Sequence, residues 1–251
     1  MLSVYLALIG LLVGLALDAV IVRLAVAPDD EEEDAPADDV PADEPADPQS
    51  VQTPLGAHGA EAGSLVVAID GSWQAWTRRL LVVGATAGLF AVAAARYDDA
   101  SHLAVVTAYI CVLLVCAGTD ALAFRVPNVV TYPAIVGAIV VGVTLAGADI
   151  AEVLAGGALS GGVLFLPAIF TGGVGMGMGD VKLAAFVGLA LGFTNVVPAM
   201  LLMALGGGLV AVLLLVSGLR KRGEPIPYAP FISVGGLAAL LWQGTAFVDL
   251  V

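Results

Sequence analysis

The sequence has few charged and few reactive side chains. Only 12% of its 251 residues are charged, 60% are hydrophobic and the mean hydropathy is +1.01. A soluble domain carries about 25% charged residues, so this composition excludes a soluble globular protein. With only nine lysines and arginines, no nucleic-acid partner is expected.

Cysteine is scarce as well. Cys111 and Cys116 lie five positions apart within an apolar run, a spacing that fits neither a CxxC pair nor a zinc framework. We interpret both as buried thiols. The first apolar run lacks a basic leading region and a small-residue cleavage site, which predicts a retained helix and not a removed signal peptide.

Long apolar runs fill most of the chain. A helix needs about 20 apolar residues to cross a bilayer, and continuous runs without alternation exclude a membrane β-barrel. The sequence predicts an all-α, polytopic transmembrane bundle of about eight helices, in which short connections make consecutive spans antiparallel neighbours. The predicted spans are 2–26, 80–96, 103–119, 129–147, 153–171, 181–194, 196–217 and 229–250.

The one long polar segment divides the chain into a first transmembrane helix (1–26), a loop (27–79) and the remaining bundle (80–251). The net charge of −13 arises largely there, because 11 of the 22 acidic residues lie between Asp29 and Asp47. Residues 28–50 have no apolar face, so we predict that they are disordered.

Tryptophan and arginine end this loop. Trp73 and Trp76 precede Arg78 and Arg79, which predicts a short interfacial helix or collar among the lipid headgroups.

The basic residues orient the bundle, because lysine and arginine favour the cytoplasmic side. An outside amino terminus puts eight of the nine in the cytoplasm and only Arg96 outside. The loop 27–79 is then cytoplasmic, and the expected location is the plasma or inner membrane. The eight are Arg23, Arg78, Arg79, Arg125, Lys182, Arg220, Lys221 and Arg222.

Carboxylates at membrane depth are costly and therefore candidates for function. We interpret Asp18 as paired with nearby Arg23 or hydrogen-bonded. Solvation explains the acids in the outside connections and at the far terminus, namely Asp98, Asp99, Asp149, Glu152 and Asp249. Asp120 and Asp180 remain, both at the predicted cytoplasmic edge.

Each of these two aspartates lies in a distinctive segment. Asp120 opens DALAFRVPN, which ends in Pro127 and Asn128 at the start of a span. Asp180 closes GGVGMGMGD, in which five glycines occur between positions 172 and 179. Glycine allows close backbone approach, so an extended substrate could lie against this segment. Two converging carboxylates share a proton and can activate water without a metal ion, which is aspartic protease chemistry.

These segments, DxxxxxxPN and GxGDxK, resemble the two signature motifs of the type IV prepilin peptidases. LALDAVIVRL, RRLLVVGATAGLFAVAAARY and IPYAPFISVGG are similar to further parts of that family. The resemblance implies a membrane aspartic endopeptidase, with its catalytic domain in 80–251, that cleaves the leader of prepilin-like proteins at the cytoplasmic membrane face. It implies Asp120 and Asp180 as catalytic residues. The residues expected to bind substrate or support the site are Gly177, Gly179, Lys182, Pro127 and Asn128.

The chain departs from the family in its loop. Many bacterial members carry two CxxC pairs there, whereas this loop contains no cysteine and only His58. No metal site is expected. S-adenosylmethionine is expected as a cofactor only if methyltransferase activity is retained. Beyond the lipid, the expected partners are prepilin-like substrates.

Two alternatives stay open. One is a presenilin-type intramembrane protease, although Thr119 precedes Asp120 where that group has tyrosine. The other is a cation-coupled transporter whose broken Gly-rich helix coordinates an ion through Asp180.

Overall fold

The computed structural model describes residues 2–27, 73–145, 149–170, 177–217 and 226–249. This part of the chain contains seven helices and a short antiparallel ribbon, which confirms the predicted all-α membrane bundle. The helices are α1 (Leu2–Val26), α2 (Trp73–Arg96), α3 (Ala100–Ala123), α4 (Asn128–Thr144), α5 (Ile150–Phe170), α6 (Met178–Val216) and α7 (Ala229–Trp242). The ribbon strands are β1 (Gly244–Thr245) and β2 (Val248–Asp249).

Helix length and composition make the chain a multi-pass membrane protein. Within the described ranges, five helices are long and apolar enough to cross a bilayer: α1, α2, α3, α5 and α6. Helices α4 and α7 are apolar but shorter.

Helix α6 is a hairpin of two limbs that meet at Gly192. This glycine has φ 76° and ψ 172°, a backbone conformation outside the helical region that favours glycine. Before it, the first limb packs on α5, with Gly188 against Gly156. After it, the second limb runs back along α7, so that Gly207 lies against Tyr228 at the start of α7. The predicted spans 181–194 and 196–217 correspond to these limbs.

Two contacts hold the hairpin turn. The Glu152 carboxylate accepts the backbone N–H of Thr194 at 2.9 Å and also the Thr194 hydroxyl. The Ala246 N–H, between the ribbon strands, donates to the Ala190 carbonyl at 3.0 Å. Solvation alone therefore does not explain Glu152, because its carboxylate satisfies the start of the second limb.

Asp99 and Asp149 also cap helices. Asp99 accepts the N–H of Ser101 at 2.8 Å and that of His102 at 3.1 Å, at the start of α3. The Ser101 hydroxyl and these N–H groups hold the pKa of Asp99 below its ordinary value. Asp149 accepts the Ala151 N–H at 2.9 Å, at the start of α5.

Close helix contacts in the bundle are made by glycine. A Cβ at Gly188 would lie 2.1 Å from the Gly156 carbonyl oxygen, so α5 and α6 touch through their backbones. Gly10 and Gly14 also bring α1 close to α2, since a Cβ at either would lie 2.7 Å from a Cα atom of α2. Small residues at interfaces are typical of membrane helices, which gain their association energy from close packing. The free Cys116 is buried in the same core, and the free Cys111 is half-buried.

Contacts between non-consecutive elements define two ends of the bundle. At the first, named the Asp120 end, Arg125 donates to the Leu24 carbonyl at the end of α1, and the end of α3 meets the start of α7. At the opposite end, named the Asp99 end, the Tyr97 hydroxyl donates to the Leu240 carbonyl at 2.5 Å. The glycine hairpin turn and the ribbon also lie at the Asp99 end.

The helix boundaries correct three predictions. The second span begins at Trp73 and not at 80, so Trp73 and Trp76 belong to the first turns of α2 and form no separate interfacial helix. The last helix ends at Trp242 instead of 250, because the chain turns into the ribbon. The predicted disordered segment 28–50 lies outside the described residues.

Asp18 is buried, with only 1% of its surface exposed. Its carboxylate accepts Arg78 Nε at 2.8 Å and Arg79 Nε at 3.2 Å. The ion pair predicted for Asp18 therefore exists, but its partners are on α2 and Arg23 is not one of them. The reason is that α1 packs antiparallel to α2, whose two arginines lie level with Asp18.

Candidate active site

Asp120 lies in the last turn of α3, where the helix is about to end. Phe124 stops the helix in the left-handed conformation (φ 54°), and its N–H donates to the Asp120 carbonyl at 2.9 Å. The side chain of Asp120 points into the bundle, and only 4% of the residue is exposed.

The Asp120 carboxylate caps a helix that is distant in sequence. Its Oδ2 accepts the N–H of Ala229 at 2.9 Å, and the backbone N–H of Tyr228 donates to the same carboxylate. Tyr228 is the N-cap residue of α7 and makes no side-chain capping bond of its own. A helix start attracts negative charge because its free N–H groups and dipole point at it.

Asp180 lies in the first turn of α6, and 9% of it is exposed. Its own N–H donates to the Gly177 carbonyl at 3.1 Å, and the Gly177 N–H donates back to the Asp180 carboxyl. Within the described ranges, Asp180 Oδ1 is buried and has no hydrogen-bond partner. A buried polar atom without a partner is costly, and such atoms call for a functional explanation.

The two aspartates share one site although positions 120 and 180 are far apart in sequence. The negative charge of Asp120 acts on the Asp180 carboxyl. Gly179 makes this possible, because a Cβ there would lie 2.9 Å from Cβ of Val126, in the connection that follows α3. The start of α6 can therefore lie directly against the end of α3.

The other predicted site residues join α4 to α6. Lys182 Nζ donates to Asn128 Oδ1 at 2.8 Å and lies 4.8 Å from the ring centroid of Tyr132. Pro127 is the N-cap of α4, and its carbonyl accepts the N–H of Thr131 at 3.1 Å. These residues tie together the starts of two helices at the Asp120 end, whereas Gly177 is exposed beside Asp180.

Tyr228 is a site residue that sequence reasoning missed. Its ring packs on the second limb of α6, where a Cβ at Gly207 would lie 3.0 Å from Cζ and the hydroxyl oxygen. Burial raises the pKa of the Tyr228 phenol, and the negative charge of Asp180 raises it further. The available signal was the segment IPYAPFISVGG, which was recognised as similar to the family but given no role.

The assembled groups suit acid–base chemistry. Two buried carboxyls in electrostatic contact, one held by backbone N–H groups, can take up and release a proton beside a bound water. Among the described residues, no group of three histidine, cysteine, aspartate or glutamate side chains could hold a metal ion.

Comparison with known families identifies the part of the chain that carries this site. Residues 107–212 match the model of the type IV leader peptidase family. This segment is similar to that family. It contains both aspartates, the Asn128 and Lys182 contact and the hairpin turn, and the match confirms the resemblance found in the motifs.

The names of curated proteins with similar sequences are consistent with the type IV leader peptidase family. The chain is 38% identical over 80 residues to a prepilin leader peptidase/N-methyltransferase of Pseudomonas aeruginosa. These aligned residues make up 32% of this chain and 28% of that protein. It is 36% identical over 89 residues to the protein of the same name from Burkholderia pseudomallei, covering 36% and 28%. The chain thus spans little more than a quarter of these relatives' length. No solved structure matches.

Proposed function

We propose that this chain is a membrane-embedded aspartic endopeptidase that removes the leader peptide of prepilin-like proteins. The observation that carries the proposal is the meeting of Asp120 and Asp180 in one buried site within the matched segment. The names of the curated relatives support the substrate class. The proposal covers the peptidase reaction and includes no methyl transfer.

The reaction uses one proton held by the aspartate pair, since two nearby carboxylates do not both ionise cheaply. The ionised carboxyl takes a proton from water as its oxygen bonds to the scissile carbonyl carbon. The protonated carboxyl gives its proton to the carbonyl oxygen. The tetrahedral intermediate then collapses and the C–N bond breaks. The leaving nitrogen receives the proton taken from water, and one hydroxyl of the intermediate returns a proton to the other carboxylate as the new carboxyl group forms, which restores the pair with its one proton. Because Asp120 Oδ2 accepts the Ala229 N–H, another oxygen of the pair carries the shared proton.

The surrounding residues hold this pair in place. Gly179 lets α6 approach α3, while exposed Gly177 leaves room for an extended peptide beside Asp180. Lys182 and Asn128 fix the starts of α6 and α4 relative to each other. A substrate helix would enter laterally from the lipid, with its cleavage point level with the aspartates.

We assign the Asp120 end to the cytoplasm and the protein to the plasma or inner membrane. Five of the six basic residues in the described ranges lie at this end, as the positive-inside rule requires, and only Arg96 lies at the other. In a variant without Cys111 and Cys116, an impermeant thiol reagent should label Asp98→Cys in intact cells but not Lys221→Cys. The reverse pattern would put the aspartates on the outer face.

The function is tested by co-expression with a prepilin-like protein, reading the substrate's new amino terminus by mass spectrometry. Cleavage between the basic leader and the hydrophobic segment is expected. An uncleaved substrate, in cells where both proteins accumulate in the membrane, would refute the assignment.

A further inference from the structure

Tyr228 is next to the aspartate site, since it directly precedes Ala229, whose N–H donates to Asp120 Oδ2 at 2.9 Å, and it interacts with both aspartates. Its backbone N–H donates to the Asp120 carboxylate, and the charge of Asp180 acts on its phenol. The residue follows Pro227 and opens α7, so its position is set by the same helix start that holds Asp120.

The ring of Tyr228 is firmly placed. On one side it lies against Gly207, where no side chain larger than hydrogen fits without displacing it. On another it makes an edge contact with Phe231, with ring centroids 6.0 Å apart. Glycine is a poor helix former, but at position 207 it leaves space for the Tyr228 ring. This contact lies at the level of the aspartates.

The hydroxyl group itself is not used by the fold. In the part of the chain that the structure describes, it makes no hydrogen bond to another residue, in contrast to Tyr97, whose hydroxyl bonds to the Leu240 carbonyl. A tyrosine that served only packing could equally be phenylalanine. A half-buried hydroxyl beside a carboxyl pair is instead a donor kept free for a ligand.

We propose that Tyr228 is a third catalytic group, whose hydroxyl donates a hydrogen bond to the oxygen of the scissile carbonyl. This inference rests on the proposed peptidase function. The bond strengthens as that oxygen gains charge on the way to the tetrahedral intermediate, so it stabilises the transition state more than the bound substrate. No atom is transferred by Tyr228, because the proton that the oxygen receives still comes from the aspartate pair.

The test is Tyr228→Phe in the full-length protein, assayed with a purified prepilin-like substrate. We expect kcat to fall about 10- to 100-fold, at or somewhat below the effect of removing one oxyanion donor, with KM within about threefold. Tyr109→Phe is the matched control. It deletes the hydroxyl of another buried tyrosine, also in contact with a ring, about 16 Å along α3 from Asp120, and should keep full activity.

A second variant separates catalysis from folding. Gly207→Ala keeps the hydroxyl but forces the ring to shift by a few tenths of an ångström, so it should also lower kcat, by less than Tyr228→Phe does. When Gly207→Ala is combined with Tyr228→Phe, it should lower kcat little further, because the hydroxyl that it displaces is already absent. Additive losses, or a kcat of Tyr228→Phe within threefold of the parent, would overturn the inference and leave the peptidase assignment intact. Absence of cleavage by the parent protein would refute the assignment itself.

Discussion

The two ends of the bundle use their carboxylates in opposite ways. At the Asp99 end, Asp99, Asp149 and Glu152 are exposed or half-buried, and each caps the start of a helix. At the Asp120 end, Asp120 and Asp180 are buried, and one oxygen of Asp180 lacks a partner among the described residues. The carboxylates of the Asp99 end thus serve as helix caps, whereas a carboxyl oxygen of the Asp120 end lacks a partner among the described residues.

Burial alone does not explain this difference. Asp18 is more deeply buried than either aspartate of the site, but two arginines compensate its charge. Among the described residues, no cation is a hydrogen-bond partner of the aspartate pair, and the negative charge of Asp120 adds to the cost of ionising Asp180. We therefore assign a structural role to the compensated carboxylate, while the uncompensated buried pair is the one to which we give the proposed function.

The largest effect is expected when the charge of the aspartate pair is removed. Asp120→Asn and Asp180→Asn should each insert normally yet lower the rate of prepilin cleavage by about three orders of magnitude or more. The double variant should be little worse than either, because the two groups act as a unit. The measurement is single-turnover cleavage in detergent or vesicles. Near-normal cleavage by either single variant would contradict an aspartic mechanism.

A large effect on stability, without any change in chemistry, is expected where α5 meets α6. Gly188→Ala puts a methyl group against the Gly156 carbonyl, and overpacking of this kind costs about 1–3 kcal/mol or more. Its thermal unfolding in detergent should shift sharply downwards. Gly162→Ala, on the open face of α5, is the control and should be neutral or slightly stabilising. Equal effects at both positions would show that this backbone contact is unimportant.

A smaller effect should follow from Asp18→Asn. This variant leaves Arg78 and Arg79 without their anion, but both arginines reach solvent. We therefore expect the free energy of unfolding to fall by about 1–2 kcal/mol, which is less than the cost of breaking a fully buried pair. The quantity to measure is kcat per inserted molecule, which should stay within a few fold of the parent. A loss as large as that of Asp180→Asn would mean that the distinction between compensated and uncompensated carboxylates fails.

The smallest effect on stability is expected from substitutions at the Asp99 end. Glu152→Ala removes the acceptor at Thr194 and should cost about 1 kcal/mol, as for other caps. Glu152→Gln retains an oxygen acceptor and should cost less. Both should leave kcat unchanged, which thermal unfolding and cleavage assays on the same preparations would check. A fall in kcat would show that the hairpin turn controls the site.

The sequence was sufficient for features that depend on local composition. Apolar runs located the helices, and the predicted spans 181–194 and 196–217 divide α6 close to Gly192, where the structure divides it. It failed where a partner comes from another part of the chain. The arginines of Asp18, the ribbon after Trp242 and the capping of α7 by Asp120 are all non-local contacts, which neither periodicity nor propensity encodes.

The site shows the same limit. Asp120 and Asp180 stood out because charge is rare in apolar spans, and Lys182 and Asn128 because they accompany them in the motifs. Tyr228 carries no charge, and tyrosine is common at membrane surfaces, so only its contacts at the aspartate site led to the role proposed for it. Family similarity pointed to its segment but could not assign a function to the ring or the hydroxyl.

The short length of α7 has a consequence for the lipid around the site. Its 14 residues extend about 21 Å, against about 30 Å for the hydrocarbon layer. This hydrophobic mismatch must be met by local thinning of the bilayer or by a water-filled depression above the helix start. Because α7 begins beside Asp120, any shortfall at the start of this helix lies at the aspartate pair. In the proposed reaction, a depression there would let hydrolytic water reach a peptide bond that still lies below the average headgroup plane, so that the substrate helix need not leave the membrane to be cut.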